Sequence, residues 1–297
     1  MQESLNASIV RIRTADGRVI GAGFLVSQRH ILTCAHVISQ ALNLPDTPAD
    51  PPQEAISLDF PLLAPRTLLT ASVVQWCPPL SDGRGDIAGL ELQADPPPGA
   101  AMVRFAEASD VWKHDFRAFG FPAGNDDGVW ATGRLLDRQA TDWLMIEDIK
   151  AQGFAVAPGF SGTPVWDELL QGIVGMVVAA SRPIDLKAAF VLPLDVLMAA
   201  WPLIEPVTRQ RVFLSAAPAD TAFAARLTTD LEARSIVVWD DQHTPGEDHA
   251  DKEQHVQQAI RAAQAVVLVV SSQTRSSRTV KEHLSLANLY QRRLILA

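Results

Sequence analysis

The sequence predicts a two-part chain, an all-β antiparallel sandwich or barrel followed by an α/β parallel sheet. Three observations predict it. Short apolar runs separated by Gly, Pro and Asp recur from Ser8 to Leu194. After Pro206, strand-like and helical patterns alternate, as they do where helices cross over between parallel strands. The charge also divides: residues 1–205 carry 14 basic and 24 acidic side chains, whereas 206–297 carry 11 and 10. A length of 297 residues suits about two domains, and the boundaries read as 1–205 and 206–297.

In the first part the strand-like runs are ASIVRI, VIGAGFLV, HILTCA, AISLDF, TLLTASVVQW, IAGLEL, FRAFGF, VWATGRLL, WLMIED, GIVGMVVAA and AAFVLPL. Leu42 to Gln53 holds four prolines and reads as a loop. DVLMAAWPLIE reads as a short amphipathic helix closing the domain. In the second part RVFLS, IVVW, AVVLVVS and RLILA are strand-like. DTAFAARLTTDLEAR, HADKEQHVQQAIRAA and TVKEHLSLANLY carry apolar residues at helical spacing. The chain stops inside its last strand-like run, which reads as an incomplete sheet and a C-terminal truncation.

Composition narrows the function classes. With 47% hydrophobic and 20% charged residues the chain is of ordinary globular type. Its net charge of −9 disfavours nucleic-acid binding through a basic surface, since phosphate affinity rests on Lys and Arg. Ala188 to Ile204 is the most apolar stretch, but Pro193, Asp195 and Pro202 interrupt it, so no membrane span is expected. Two cysteines, Cys34 and Cys77, do not make a disulfide framework, and MQESLNASIVRIR lacks the basic start and apolar run of a signal peptide. A cytoplasmic location is the expectation.

Three residues carry chemistry in the first part: His36 in ILTCAHVI, Asp86 in GRGDIAGLEL and Ser161 in APGFSGTPVW. A serine hydroxyl attacks a carbonyl only if a base takes its proton, and imidazole is the base whose ordinary pKa lies near neutrality. Singly, each has an ordinary reading as a packed or surface histidine, a turn aspartate and a loop serine. Their motifs and their order, His-Asp-Ser, resemble the trypsin-like serine proteases over Ser8 to Leu197, in the style of disulfide-free bacterial members. The resemblance implies a double antiparallel β-barrel and a serine endopeptidase acting on protein or peptide substrates without a cofactor or metal. His36 would be the base, Asp86 the group that orients it, and Ser161 the nucleophile, with the backbone N–H groups of Gly159 and Ser161 as the oxyanion hole. Cys34 is expected to be a small core residue. Phe160 stands where the digestive enzymes carry an Asp that pairs with a newly cut N-terminus, so activation by propeptide removal is not expected. The resemblance places the substrate pocket at Ala155, Gly175 and Val177, with no carboxylate at its base, and implies a preference for small aliphatic side chains.

The segments RVFLSAAPAD, SIVVWDDQHTPGED, QAIRAAQAVVLVVSS and SSRTVKEHLSLA resemble the Toll/interleukin-1 receptor (TIR) family over Arg211 to Ala297. The resemblance implies a flavodoxin-like parallel sheet with a nucleotide crevice near Ser215, Asp220, Ser271 and Glu282. It also implies self-association with other TIR domains, and NAD or a NAD-derived nucleotide as the candidate ligand. In NAD-cleaving members a glutamate stands where this chain has His283, and Glu282 falls one residue early, about 100° around the helix. Both are read as a solvated helix face. The loop and helix residues Asp240, Asp241, His243, His249 and His255 fit no common metal-ligand spacing. Together the two resemblances imply a bacterial protease–TIR fusion in antiviral or stress defence. The alternatives are a NAD-cleaving enzyme with a regulatory protease half, and a catalytically silent scaffold.

Overall fold

In the computed structural model the described residues are 5–81, 84–106, 110–147, 153–180, 188–204, 211–234, 236–240 and 249–297. Contacts divide the chain into two compact units, 1–107 with 111–207, and 108–110 with 208–297. The expected boundary at 205/206 lies outside the described residues, as do His243, the Pro-Gly loop after it and most of the loop that precedes Ala188.

The first unit holds two closed six-stranded antiparallel barrels. One contains β1 (Ile9–Arg13), β2 (Val19–Leu25), β3 (His30–Thr33), β4 (Ile56–Phe60), β5 (Ala64–Cys77) and β6 (Ile87–Leu92), in the order β1-β2-β3-β6-β5-β4. The other contains β7 (Asp115–Gly120), β8 (Val129–Arg138), β9 (Leu144–Glu147), β10 (Pro164–Asp167), β11 (Gly172–Ala180) and β12 (Ala188–Pro193), in the order β10-β11-β12-β9-β8-β7. Closure removes the free sheet edges that an open sandwich would expose, which settles barrel over sandwich.

Strand patterning gives the barrels their interiors. In β8, Ala131, Gly133 and Leu135 are buried while the intervening residues are only partly so, the period-2 signature of one face turned inward. β1 and β6 are buried on nearly every residue because their outer faces are covered too. Outside β6, the ring of Trp201 lies so close to Gly89 that a Cβ there would come within 2.5 Å of it. Trp201 follows α2 (Leu194–Ala200), so the helix expected at the end of the domain packs back on the first barrel.

Two elements escaped the sequence reading. β10 is four residues long, opens on a proline and was absorbed into the serine motif; proline is tolerated at the first position of a strand. The helix α1 (Ala35–Ala41) follows β3 directly, and seven residues are too few for helical periodicity to register. HILTCA is therefore a strand that turns into a helix at Cys34, not one continuous strand.

The second unit is a parallel sheet of four strands, β13 (Arg211–Ser215), β14 (Val237–Trp239), β15 (Ala265–Leu268) and β16 (Arg293–Leu296), in the order β14-β13-β15-β16. Its helices are α3 (Thr221–Glu232), α4 (His249–Ala262) and α5 (Arg278–Leu289). The step from β14 across β13 to β15 reverses the strand order at β13, which leaves a crevice at the carboxyl ends of β13 and β15.

Candidate active site

Each barrel supplies part of the site in the first unit. His36 is the second residue of α1, immediately beyond the first barrel's β3. Asp86 precedes β6 with φ at +63°, a left-handed conformation that Asp adopts more readily than most residues. From there its carboxylate makes two bonds to one residue. Asp86 Oδ2 lies 2.6 Å from His36 Nδ1, and Asp86 Oδ1 accepts the backbone N–H of His36 at 2.9 Å. Both the ring and the peptide of His36 are thereby oriented by one side chain. Asp86 is buried and His36 partly exposed, so one edge of the imidazole is left open to a reactant.

Ser161 sits in the turn before β10. Its carbonyl accepts the N–H of Ala22 in β2 at 3.0 Å, tying the turn of one barrel to a strand of the other. A Cβ at Gly21 would lie 3.0 Å from the Ser161 carbonyl oxygen and 3.1 Å from a Val37 methyl, so the turn and the start of α1 flank the same glycine. Gly162 approaches the first barrel so closely that a Cβ would meet Ala22 O at 2.0 Å, and its φ of +84° also requires glycine. Ser161 Oγ makes no hydrogen bond among the described residues, His36 included. Catalytic bonds of this kind are often long without substrate and tighten when it binds.

The amides around Ser161 fall into two sets. Phe160 N–H donates to Ala157 O, Gly162 N–H to Val177 O, and Thr163 N–H to Phe160 O. Those of Gly159 and Ser161 have no partner among the described residues. Gly159 has φ at +103°, and a Cβ would come within 2.2 Å of Phe121 O, so the turn accepts only glycine there. Between these two amides Phe160 is fully buried, its ring pressed on Gly120, where a Cβ would lie 2.4 Å from it. An apolar anchor thus stands where the digestive enzymes' ion pair would be.

Cys34 is fully buried and donates to Val177 O at 3.4 Å; burial and the nearby Asp86 charge push its thiol well above the ordinary range. Cys34, His36 and Asp86 offer ligand-type atoms within 4.8 Å of one another. The 2.6 Å His36–Asp86 separation is that of a charge-assisted hydrogen bond and leaves no room for an ion between the two atoms. Of the expected pocket residues, Ala155 is partly exposed. Gly175 and Val177 lie in the buried ladder of β11, Val177 only 1% exposed with its N–H bonded to Thr163 O. Val177 thus lies beside the serine turn, its N–H and its carbonyl both bonded to that turn.

A family model described as a trypsin-like peptidase domain matches residues 21–176. The chain belongs to the trypsin-like peptidases. A second model, of the TIR domain, matches 212–297. Among solved structures this peptidase is similar to the Rv3671c protease in its inactive form, at 20% identity over 67% of this chain and 90% of that one, TM-score 0.47. It is also similar to an inactive-form serine-to-alanine mutant of Rv3671c from M. tuberculosis H37Rv, at 20% identity over 69% and 90%, TM-score 0.48. A third is a serine endoprotease from Yersinia pestis, at 17% identity over 68% and 64%, TM-score 0.47. No curated protein matches the chain. No helix among the described residues is long and apolar enough to cross a membrane.

In the TIR domain of this peptidase, Ser215 ends β13, and Asp220 and Ser271 lie in the segments following β13 and β15. Ser271 Oγ donates to Asp220 Oδ2 at 2.6 Å, joining the two segments across the crevice. Glu282 is exposed on α5 and paired with Arg278 at 2.7 Å. His283 is not on a solvated face: it is buried, 3.0 Å from Ser215 Oγ through Nδ1, with its ring edge-on to Phe213 at 4.9 Å. The correction has a simple cause, because α5 lays Val280, His283 and Ala287 against the sheet at i, i+3, i+7 spacing.

The sequence reading also missed a second buried His–Asp pair. His114 Nδ1 lies 2.7 Å from Asp167 Oδ2 in the second barrel, while Asp167 Oδ1 accepts the N–H groups of Leu169 and Leu170. No serine motif accompanies it, and its bonds brace the turn after β10. Nothing in a single sequence separates such a pair from surface residues.

Proposed function

We propose that this peptidase is a serine endopeptidase in which Ser161 attacks the scissile carbonyl while His36 Nε2 takes its proton. Asp86 holds Nδ1–H and so fixes the tautomer that leaves Nε2 free to accept. The Gly159 and Ser161 amides receive the oxyanion as the tetrahedral intermediate forms. His36 then returns the proton to the departing amine, and water hydrolyses the acyl-enzyme by the same steps. The observation that carries the reading is the paired geometry of Asp86 on His36, with two amides at the Ser161 turn of the facing barrel that have no partner among the described residues. With Ala155 read as the pocket base, a residue that offers no carboxylate, an unpaired substrate Lys or Arg would be costly to bury. Small aliphatic side chains should be preferred before the cut bond, by about 1–3 kcal/mol per methylene-level difference.

For the TIR domain the reading is a sensing or assembly module acting in the bacterial cytoplasm, in defence, through self-association. Asp220 and Ser271 suit a hydroxyl-bearing nucleotide such as NAD or a derivative. The position of the family's glutamate is filled by His283, buried on Ser215, which favours assembly over NAD cleavage. A serine-directed fluorophosphonate probe tests the peptidase: Ser161 should be the labelled residue, and His36→Ala should abolish labelling. Labelling elsewhere, or undiminished labelling in His36→Ala, would refute the triad.

A further inference from the structure

We propose that Arg11 is a positioning residue for the oxyanion turn, acting through the loop from Phe121 to Gly128; the proposal rests on the oxyanion reading above. Arg11 lies on β1 of the first barrel and is 2% exposed, far along the chain from every motif of the site. Its guanidinium is spent in two directions. Nε and Nη2 donate to Asp59 Oδ1 and Oδ2 on the neighbouring β4 at 2.9 and 2.7 Å, a bidentate fork that fixes the plane of the group. The remaining Nη1 donates to the backbone carbonyl of Asp126, and the cation lies 5.8 Å from the ring centroid of Phe121.

Both of those contacts fall on one loop of the second barrel. The loop is braced internally, Asn125 N–H to Pro122 O and Gly128 N–H to Asn125 O, each at 2.9 Å. Its first residue touches the site: Phe121 N–H donates to Gly159 O at 3.0 Å, and Phe121 O packs where a Gly159 side chain would be. The orientation of the Gly159 peptides is thus set by Phe121, and Phe121 is held from the other barrel by Arg11. The unpartnered amide of Gly159 can aim at a developing oxyanion only while this chain of contacts holds, and displacement by about 1 Å can cost on the order of 100-fold in rate. Asp59 also keeps Arg13 at 3.4 Å and the Arg66 N–H at 2.9 Å, so its buried charge retains partners when the fork is lost.

Arg11→Lys tests this, because an ammonium can still pair with Asp59 but cannot also reach the Asp126 carbonyl in a planar fork. In the full chain, active sites are counted with the fluorophosphonate, and kcat and KM for a peptide substrate are measured per labelled site. The expected result is kcat lowered about tenfold or more with KM within about twofold, and weaker binding of a peptide boronate that mimics the tetrahedral state. A brace for the fold alone would lower the melting temperature and the count of active sites but leave kcat per labelled site unchanged, and that outcome overturns the proposal. If Arg11→Lys does not fold, Phe121→Leu decides by the same measurements. Failure of the wild type to label at Ser161 would overturn the triad and this proposal together, whereas normal labelling with unchanged kcat in the variant overturns this proposal alone.

Discussion

Replacing Asp86 by Asn separates the chemistry of the proposed triad from its scaffolding. Asn has nearly the shape of Asp and tolerates the left-handed conformation at φ +63°, so the turn should be undisturbed. What changes is the pattern of donors facing His36. Asp86 accepts twice, from the His36 ring at 2.6 Å and from the His36 amide at 2.9 Å. An Asn side chain accepts through one oxygen only. If that oxygen keeps the amide, the NH₂ faces Nδ1, and the ring must carry its proton on Nε2, where it cannot take the proton of Ser161. If the side chain flips, two donors meet and a buried N–H is left unsatisfied, at about 1–3 kcal/mol, or roughly 5- to 150-fold in the population of the productive tautomer. The imidazolium formed on attack also loses a buried counter-charge, and the combined loss for such a triad is on the order of 10⁴-fold in kcat. The assay is peptide hydrolysis with purified Asp86→Asn, alongside thermal denaturation to show an intact fold. A folded variant within tenfold of wild type would refute the argument that Asp86 sets the tautomer.

Other outcomes follow from the same geometry. Phe160→Ala empties the space against Gly120 and should cost about 3–5 kcal/mol, seen as a clear fall in melting temperature. A fall of less than about 2 °C would mean that the ring is not the anchor. At Asp59 burial raises the pKa, but the Arg11 hydrogen bond, the Arg66 N–H and the charges of Arg11 and Arg13 outweigh it, leaving a net depression. Its stabilisation is therefore present above the ordinary carboxylate pKa and lost as pH falls through the lowered folded value. Asp59→Asn should flatten the dependence of stability on acid pH in urea titrations; an unchanged slope would contradict this. Incubation of the full chain with NAD should release little or no nicotinamide, and robust turnover that disappears in Glu282→Ala would promote the NAD-cleaving alternative.

The arithmetic of short strand runs, the change of rhythm after Pro206 and the order His36, Asp86, Ser161 are properties of the chain itself. Together with the family resemblances, they were enough to predict both architectures and to single out three candidate side chains. β10 and α1 were not legible, because four and seven residues are too short for periodicity to outweigh the motifs they carry. Arg11, an ordinary strand residue in the sequence, meets the Phe121 loop only because β1 and that loop belong to barrels that pack together. His283 read as solvated because helical spacing gives the angle between residues but not which side faces the sheet. Which residue of β11 lies beside the serine turn is decided by the hydrogen bonds of Gly162 and Thr163, not by motif order. Residue type and local order set the chemistry available. Register, burial and the meeting of distant segments are decided only by the folded chain, because they depend on which backbone groups find each other across about a hundred intervening residues.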